Sequence, residues 1–216
     1  MGCIVYGIGS SYLLEVVEIL RRAGMETVAY VNNRPGSEDP AEVSPVVTPA
    51  EIDPDWLRLP VVLPLITGGY RKRLEQETRA LGFADFPIVV DPSSVVAQIG
   101  EYGDGLLVNA GSVIGAGCRI GRLVLVNRNA SIGHDVIADD FATIGPGANI
   151  GGTCHLKAGC FIGIGATIGP GVVVGRNAIV GAGAVVVKDV ADGATVVGNP
   201  AKAIKTGGKG YNDAPV

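Results

Sequence analysis

The chain has 216 residues, 47% hydrophobic and 18% charged, with a net charge of −4, a composition that excludes a disordered or a nucleic-acid-binding polypeptide. Its length fits one large domain or two small ones. No apolar run approaches the ~18 residues of a membrane helix and no basic leader region opens the chain, so a cytoplasmic protein without a membrane partner is expected.

Cys3–Tyr6 is a short apolar run, followed by the glycine turn Gly7-Ile8-Gly9-Ser10-Ser11 and by Leu13, Leu14, Val17 and Leu20 at helical spacing, with Gly24 as the stop. A G-x-G turn between a strand and a helix suits phosphate or ribose binding, or serves only as a tight turn. Thr27–Val31 reads as a second strand running into Asn32-Asn33-Arg34-Pro35-Gly36, which is turn chemistry. Val61–Ile66 supplies a third strand, Tyr70–Leu81 a helix closed by Gly82, and Pro87–Val90 a fourth strand. The alternation predicts a small Rossmann-like parallel sheet over residues 1–92, with a linker at 93–107.

Beyond the linker the rules change. Of 33 glycines, 22 lie after residue 105, where 9 Lys/Arg face 6 Asp/Glu; up to residue 105, 8 face 15. Two domains with different ligands follow, the basic one better suited to phosphates. Every sixth residue from Val108 to Val186 is a large aliphatic, Ala138 excepted, and the next residue is glycine nine times in fourteen. Two positions before each aliphatic stands a small or β-branched residue, from Ser112 to Ala184. This period predicts a triangular β-solenoid over 108–187, with glycine easing the corners and residues 18 apart stacked at roughly 4.8 Å. A C-terminal extension occupies 188–216.

Cys118, Cys154 and Cys160 fall at the small interior position and read as packing residues. Four cysteines without paired C-x-x-C spacing form neither a disulfide framework nor a zinc ribbon. The chain has only two histidines, too few for a three-histidine zinc site, and no metal is expected. His134 lies outside the inward columns beside Asp135, a suitable general base or an idle surface histidine. Stacking places Gly152 one coil from His134, where a backbone N–H could hold an oxyanion. His155, at a hexad end, reads as structural. Lys188, Lys202 and Lys205 follow the last regular coil and could meet phosphates.

The hexads, Asn127-x-x-Ala130-x-Ile132-x-His134-Asp135, Gly163-Ile164-Gly165-Ala166, Val180-Gly181-Ala182-Gly183 and Gly198-Asn199-Pro200-Ala201-Lys202 resemble the left-handed β-helix acyltransferases, and the whole chain resembles the bacillosamine and perosamine N-acetyltransferases and the sialic acid O-acetyltransferases. The resemblance implies a homotrimer with acetyl-CoA between adjacent left-handed solenoids and a nucleotide-linked amino sugar on the N-terminal domain. It implies His134 as base, Asp135 as its polarising neighbour and Gly152 as donor to the thioester oxygen. Thr143, Gly152, Ile164, Ala182 and Lys188 would meet acetyl-CoA. Gly9, Ser10, Ser11, Asn32, Asn33, Gly68 and Asn127 would meet the acceptor.

The chain departs from the family at Ser10-Ser11-Tyr12, where a Gly-His-Gly run is usual, at Asn32-Asn33 in place of an acidic pair, and at Thr143 in place of a second histidine. The expected activity is N-acetylation of a nucleotide-linked amino sugar. O-acetylation of a sialic acid or another sugar hydroxyl is the alternative, and a non-catalytic trimeric scaffold the third.

Overall fold

The computed structural model describes residues 2–34, 36 and 40–216; Pro35 of the expected turn lies outside the described residues. The N-terminal domain holds β1 (Gly2–Tyr6), α1 (Leu13–Arg22), β2 (Glu26–Val31), β3 (Val46–Val47), β4 (Val61–Val62) and α2 (Gly68–Leu81). Its parallel sheet has the order β3-β2-β1-β4. α1 forms because Leu13, Val16, Ile19 and Leu20 recur on one face and are buried, while Arg21 and Arg22 complement the negative end of its dipole.

Two strands differ from expectation. The third ends at Val62, because Pro64 has no N–H for a ladder and Leu65 N turns back onto Leu63 O at 2.9 Å. The fourth, seen as β5 (Val89–Val90), pairs with Leu107–Val108 and so belongs to the solenoid, not to the N-terminal sheet. Val90 already stands at a multiple of six, as do Val96 and Tyr102, and all three pack against the solenoid core. The expected linker 93–107 accordingly carries β6 (Val95–Val96) and β7 (Gly100–Tyr102), which pair with Val113–Ile114 and Cys118–Ile120. The aromatic Tyr102 hides this first coil from a search for aliphatic hexads.

From there three parallel walls rise in 18-residue steps. Ser131 pairs with Asn149 and Asn149 with Thr167 on the six-stranded wall; Ile137 pairs with His155 on the five-stranded one. Leu125 pairs with Thr143 and Thr143 with Phe161 on the eight-stranded wall. The aliphatics at multiples of six fill the axis, and Cys118, Cys154 and Cys160 are buried free thiols among them. Burial raises all three thiol pKa values.

Glycine works differently from expectation. The left-handed corner residue is the third after each aliphatic, a column from Gly105 to Gly183 that also includes Leu123, Asn129, Asp135, Phe141, Thr153 and Asn177. The glycines directly after the aliphatics have ordinary φ and are there because the next coil is close: a Cβ on Gly145 would sit 2.6 Å from Ile162 O.

The expected extension continues the solenoid, since Thr195–Val197 pairs with Ile179–Val180 in a coil two residues short, and Lys202–Lys205 adds an antiparallel edge. The N-terminal domain covers the eight-stranded wall. Arg71 of α2 is fully buried and donates to Leu123 O at 2.9 Å, Phe141 O at 2.9 Å, Ala142 O at 3.0 Å and Thr143 Oγ1 at 2.9 Å on the solenoid, and to Leu65 O at 3.0 Å and Ile66 O at 2.5 Å on its own domain. Burial pulls this guanidinium down to about 9, so it stays charged at neutral pH. Arg22 bonds Asp91 at 2.6 Å, Arg128 bonds Glu15 at 2.6 Å, and Arg122 bonds Glu75 at 2.5 Å across the same junction.

Candidate active site

Residues 133–136 turn the chain from the six-stranded to the five-stranded wall, and the His134 and Asp135 side chains project there, 70% and 63% exposed. This is the edge opposite the wall that the N-terminal domain covers. His134 Nδ1 lies 2.8 Å from Asp135 Oδ2, so the carboxylate accepts the Nδ1 proton and leaves the lone pair on Nε2. Asp135 holds this position at φ 56°, a left-handed conformation that a short polar side chain tolerates.

Glycines on the two neighbouring coils make room for the pair. A Cβ on Gly152 would sit 2.6 Å from His134 Nε2, and one on Gly117 would collide with Asp135 Oδ1. The Gly152 carbonyl is occupied by Gly171 N at 3.0 Å and Thr153 Oγ1 at 2.7 Å, whereas among the described residues its N–H meets no acceptor. A base with its lone pair beside an unengaged N–H can take a proton from a nucleophile while the N–H stabilises charge on a carbonyl oxygen.

Lys188 is exposed in the same column as His134 and Gly152, 54 residues on, which is three coils or about 14 Å up the edge. Ile164, 62% exposed, and Ala182 stand one coil apart on a different edge, between the eight- and six-stranded walls. The six-stranded wall separates the two edges, and its outward row of Val95, Val113, Ser131, Asn149, Thr167 and Val185 carries no charge.

On the N-terminal domain, Gly9, Ser10 and Ser11 line a cavity of about 310 Å³ with Arg34, Thr67, Tyr70, Tyr211 and Asn212. Asn33 lines an adjoining one of about 340 Å³ with Arg73 and Glu77, and Arg34, Leu65 and Tyr70 belong to both. Arg34, Thr67, Tyr70, Tyr211 and Asn212 were not among the expected contacts.

Four residues expected to meet ligand lie buried at the domain junction or in a turn. Thr143 is 1% exposed, its hydroxyl donating to Ile66 O at 2.9 Å under the Arg71 guanidinium. Asn127 is buried, accepting from Arg128 N at 2.8 Å and from Asn109 at 3.3 Å, next to Tyr12. Gly68 packs against the Phe141 carbonyl, where no Cβ fits. Asn32 is buried and accepts from Arg34 N at 3.0 Å. Burial pushes Tyr12 up to about 12, and its contact with Asn109 pins the first turn to the solenoid. His155 bonds Asp139 at 3.0 Å on the five-stranded wall. A larger cavity of about 740 Å³, near that pair, holds no expected site residue. Among the described residues no three His, Cys, Asp or Glu side chains form a metal-ligand set, and no helix is long and apolar enough to cross a membrane.

A hexapeptide solenoid with an exposed His-Asp pair beside a free N–H defines a class, the left-handed β-helix acyltransferases. The family model "Bacterial transferase hexapeptide (six repeats)" matches residues 153–188. A histidine-to-asparagine variant of perosamine N-acetyltransferase from Caulobacter crescentus, solved with CoA and GDP-perosamine, aligns with TM-score 0.85 and 30% identity over 95% of this chain and 97% of its own. The acetyltransferase domain of PglB from Neisseria gonorrhoeae, solved with acetyl coenzyme A, aligns with TM-score 0.84 and 29% identity over 94% and 98%. WeeI from Acinetobacter baumannii aligns with TM-score 0.82 and 25% identity over 94% and 100%. Among curated proteins nothing matches. The chain belongs to the hexapeptide-repeat sugar acetyltransferase family.

Proposed function

We propose that this protein transfers acetyl from acetyl-CoA to the amine of a nucleotide-linked amino sugar in the cytoplasm, as a homotrimer. The observation that carries the reading is the His134 imidazole lying over Gly152, base and unengaged N–H together at an open corner. Bound acetyl-CoA supplies a thioester as acyl donor. His134 Nε2 takes the proton from the acceptor amine as its nitrogen bonds to the acetyl carbon, and returns it to the departing CoA sulfur. Asp135 holds the ring in that tautomer and stabilises the imidazolium. Gly152 N–H donates to the acetyl oxygen, where negative charge gathers. No residue of the chain becomes acylated.

The positions of the parts support an assembly of copies. The acceptor cavities belong to the domain on one wall, the base stands on the opposite edge, and Ile164 and Ala182 stand on a third position. One chain alone does not bring these together. Packing the uncharged six-stranded wall against a second copy sets the His134 edge of one chain beside the Ile164 edge and the N-terminal domain of the next, with Lys188 placed for a CoA phosphate.

The reading is tested by CoA-thiol release from acetyl-CoA with UDP-, GDP- and TDP-linked 3- and 4-amino sugars and free sialic acid, for wild type and His134→Ala. Turnover with an amino sugar, lost in the variant, is expected. Turnover with sialic acid alone establishes the O-acetyltransferase, and silence without thermal protection by acetyl-CoA establishes the scaffold.

A further inference from the structure

Segment 206–216 leaves the last strand, folds back along the solenoid and ends beside the N-terminal domain. Gly208 N donates to Gly193 O at 2.8 Å, the Tyr211 ring stacks on Phe161 with centroids 3.8 Å apart and planes within 3°, and Val216 N donates to Asn177 Oδ1 at 3.0 Å. Asn212 Nδ2 donates to Thr67 Oγ1 at 3.1 Å, and Gly69 in the first turn of α2 leaves the space that the Ala214 carbonyl fills. Asn212 and Asp213 turn through left-handed conformations, φ 57° and 51°, in the middle of this run. These anchors place Tyr211 and Asn212 in the wall of the cavity formed by Gly9, Ser10, Ser11 and Thr67.

We propose that Tyr211 and Asn212 form the wall of the sugar subsite and set which acceptor sugar is held, an inference that rests on the acetyltransferase reading above. The two adjoining cavities have different chemistry. One carries Asn33, Arg73 and Glu77, a carboxylate, an amide and a guanidinium suited to the donors and acceptors of a nucleoside. The other carries the hydroxyls of Ser10, Ser11 and Thr67 and the Asn212 amide, suited to a sugar. Arg34 belongs to both, a cation at the junction where a diphosphate would lie.

Height along the solenoid agrees with this polarity. Phe161, under Tyr211, comes 27 residues after His134, one and a half coils or about 7 Å along the axis. Copies packed side by side keep that height, so the hydroxyl-lined cavity lies within about 7 Å, measured along the axis, of a neighbour's base.

Calorimetry of wild type and Asn212→Gly with GDP, UDP, GDP-perosamine and a UDP-linked 4-amino sugar tests this. Glycine accepts φ 57° without strain, so the substitution removes the amide and spares the turn. The affinity that the sugar adds over the bare nucleoside diphosphate is expected to fall about tenfold, with GDP and UDP affinities held within about twofold. Tyr211→Leu, which removes the stack on Phe161, is expected to act in the same direction. An unchanged sugar increment overturns the proposal, as does an equal loss for GDP and UDP, or wild type that binds no sugar nucleotide. Wild type that binds but releases no CoA thiol overturns the acetyltransferase reading, and the binding ratios still decide this one.

Discussion

At the scale of single residues the His134–Asp135 pair depends on the two glycines that make room for it. Gly152→Ala adds one methyl at ordinary φ, so the fold is barely strained, yet the new Cβ would sit 2.6 Å from His134 Nε2 and must displace the ring. Turnover is expected to fall by about 100-fold with the thermal midpoint moving by only about 2 °C, read from initial rates and a melting curve. Gly117→Ala meets Asp135 Oδ1 and also carries a φ of 75°, so it is expected to cost about 1 kcal/mol of stability together with a smaller loss of turnover. If both variants kept full activity, the imidazole would not be the base. That His134 and Asp135 stand beside Gly152 was legible because an 18-residue coil fixes which residues stack. The burial of Thr143, Asn127 and Gly68 was not: the period tells which way a side chain points, but not that another domain lies over the wall it points to.

Between elements, the junction of α2 with the solenoid hangs on Arg71, whose acceptors are carbonyls and one hydroxyl, with no carboxylate among them. Arg71→Met leaves buried carbonyls unpaired and is expected to destabilise by about 3–5 kcal/mol, measured by urea unfolding. Nothing in the helical pattern of Tyr70–Leu81 marks this arginine, since buried and exposed guanidiniums occupy the same kind of position in sequence. The first coil is tied to α1 by Arg22 and Asp91, whose carboxyl is held at about 2 against an ordinary 3.8, chiefly by the Arg22 hydrogen bond. A depressed carboxyl stabilises the fold above its unfolded value and stops doing so as pH falls through the folded one. The stability gap between wild type and Asp91→Asn is therefore expected to be constant above about pH 4, to shrink below it and to close near pH 2, followed by unfolding at each pH. A gap independent of pH would show that Asp91 acts through its shape alone. The repeat itself was legible from Val108 onward, and its start was not, because Tyr102 breaks the aliphatic column where the coil is first closed.

For the whole molecule, the separation of cavity and base onto opposite sides of one chain makes a prediction about mixtures of chains. His134→Ala removes the base and leaves the acceptor cavity, while Thr67→Trp fills the cavity and leaves the base. Each variant alone is expected to be inactive. A site shared between copies pairs the cavity of one chain with the base of its neighbour, so assemblies reformed from equal amounts of the two variants contain some interfaces with both parts intact. With random mixing about a quarter of the interfaces qualify, and activity should return to about that fraction of wild type. A site complete within one chain gives no recovery at any mixing ratio. Val113→Glu, on the uncharged wall, supplies the companion measurement: a charge facing a second copy is expected to shift sedimentation toward the monomer and to abolish turnover without unfolding the solenoid. Assembly retained with this charge in place would move the interface to another wall, and the mixing experiment would still report whether two chains share the chemistry.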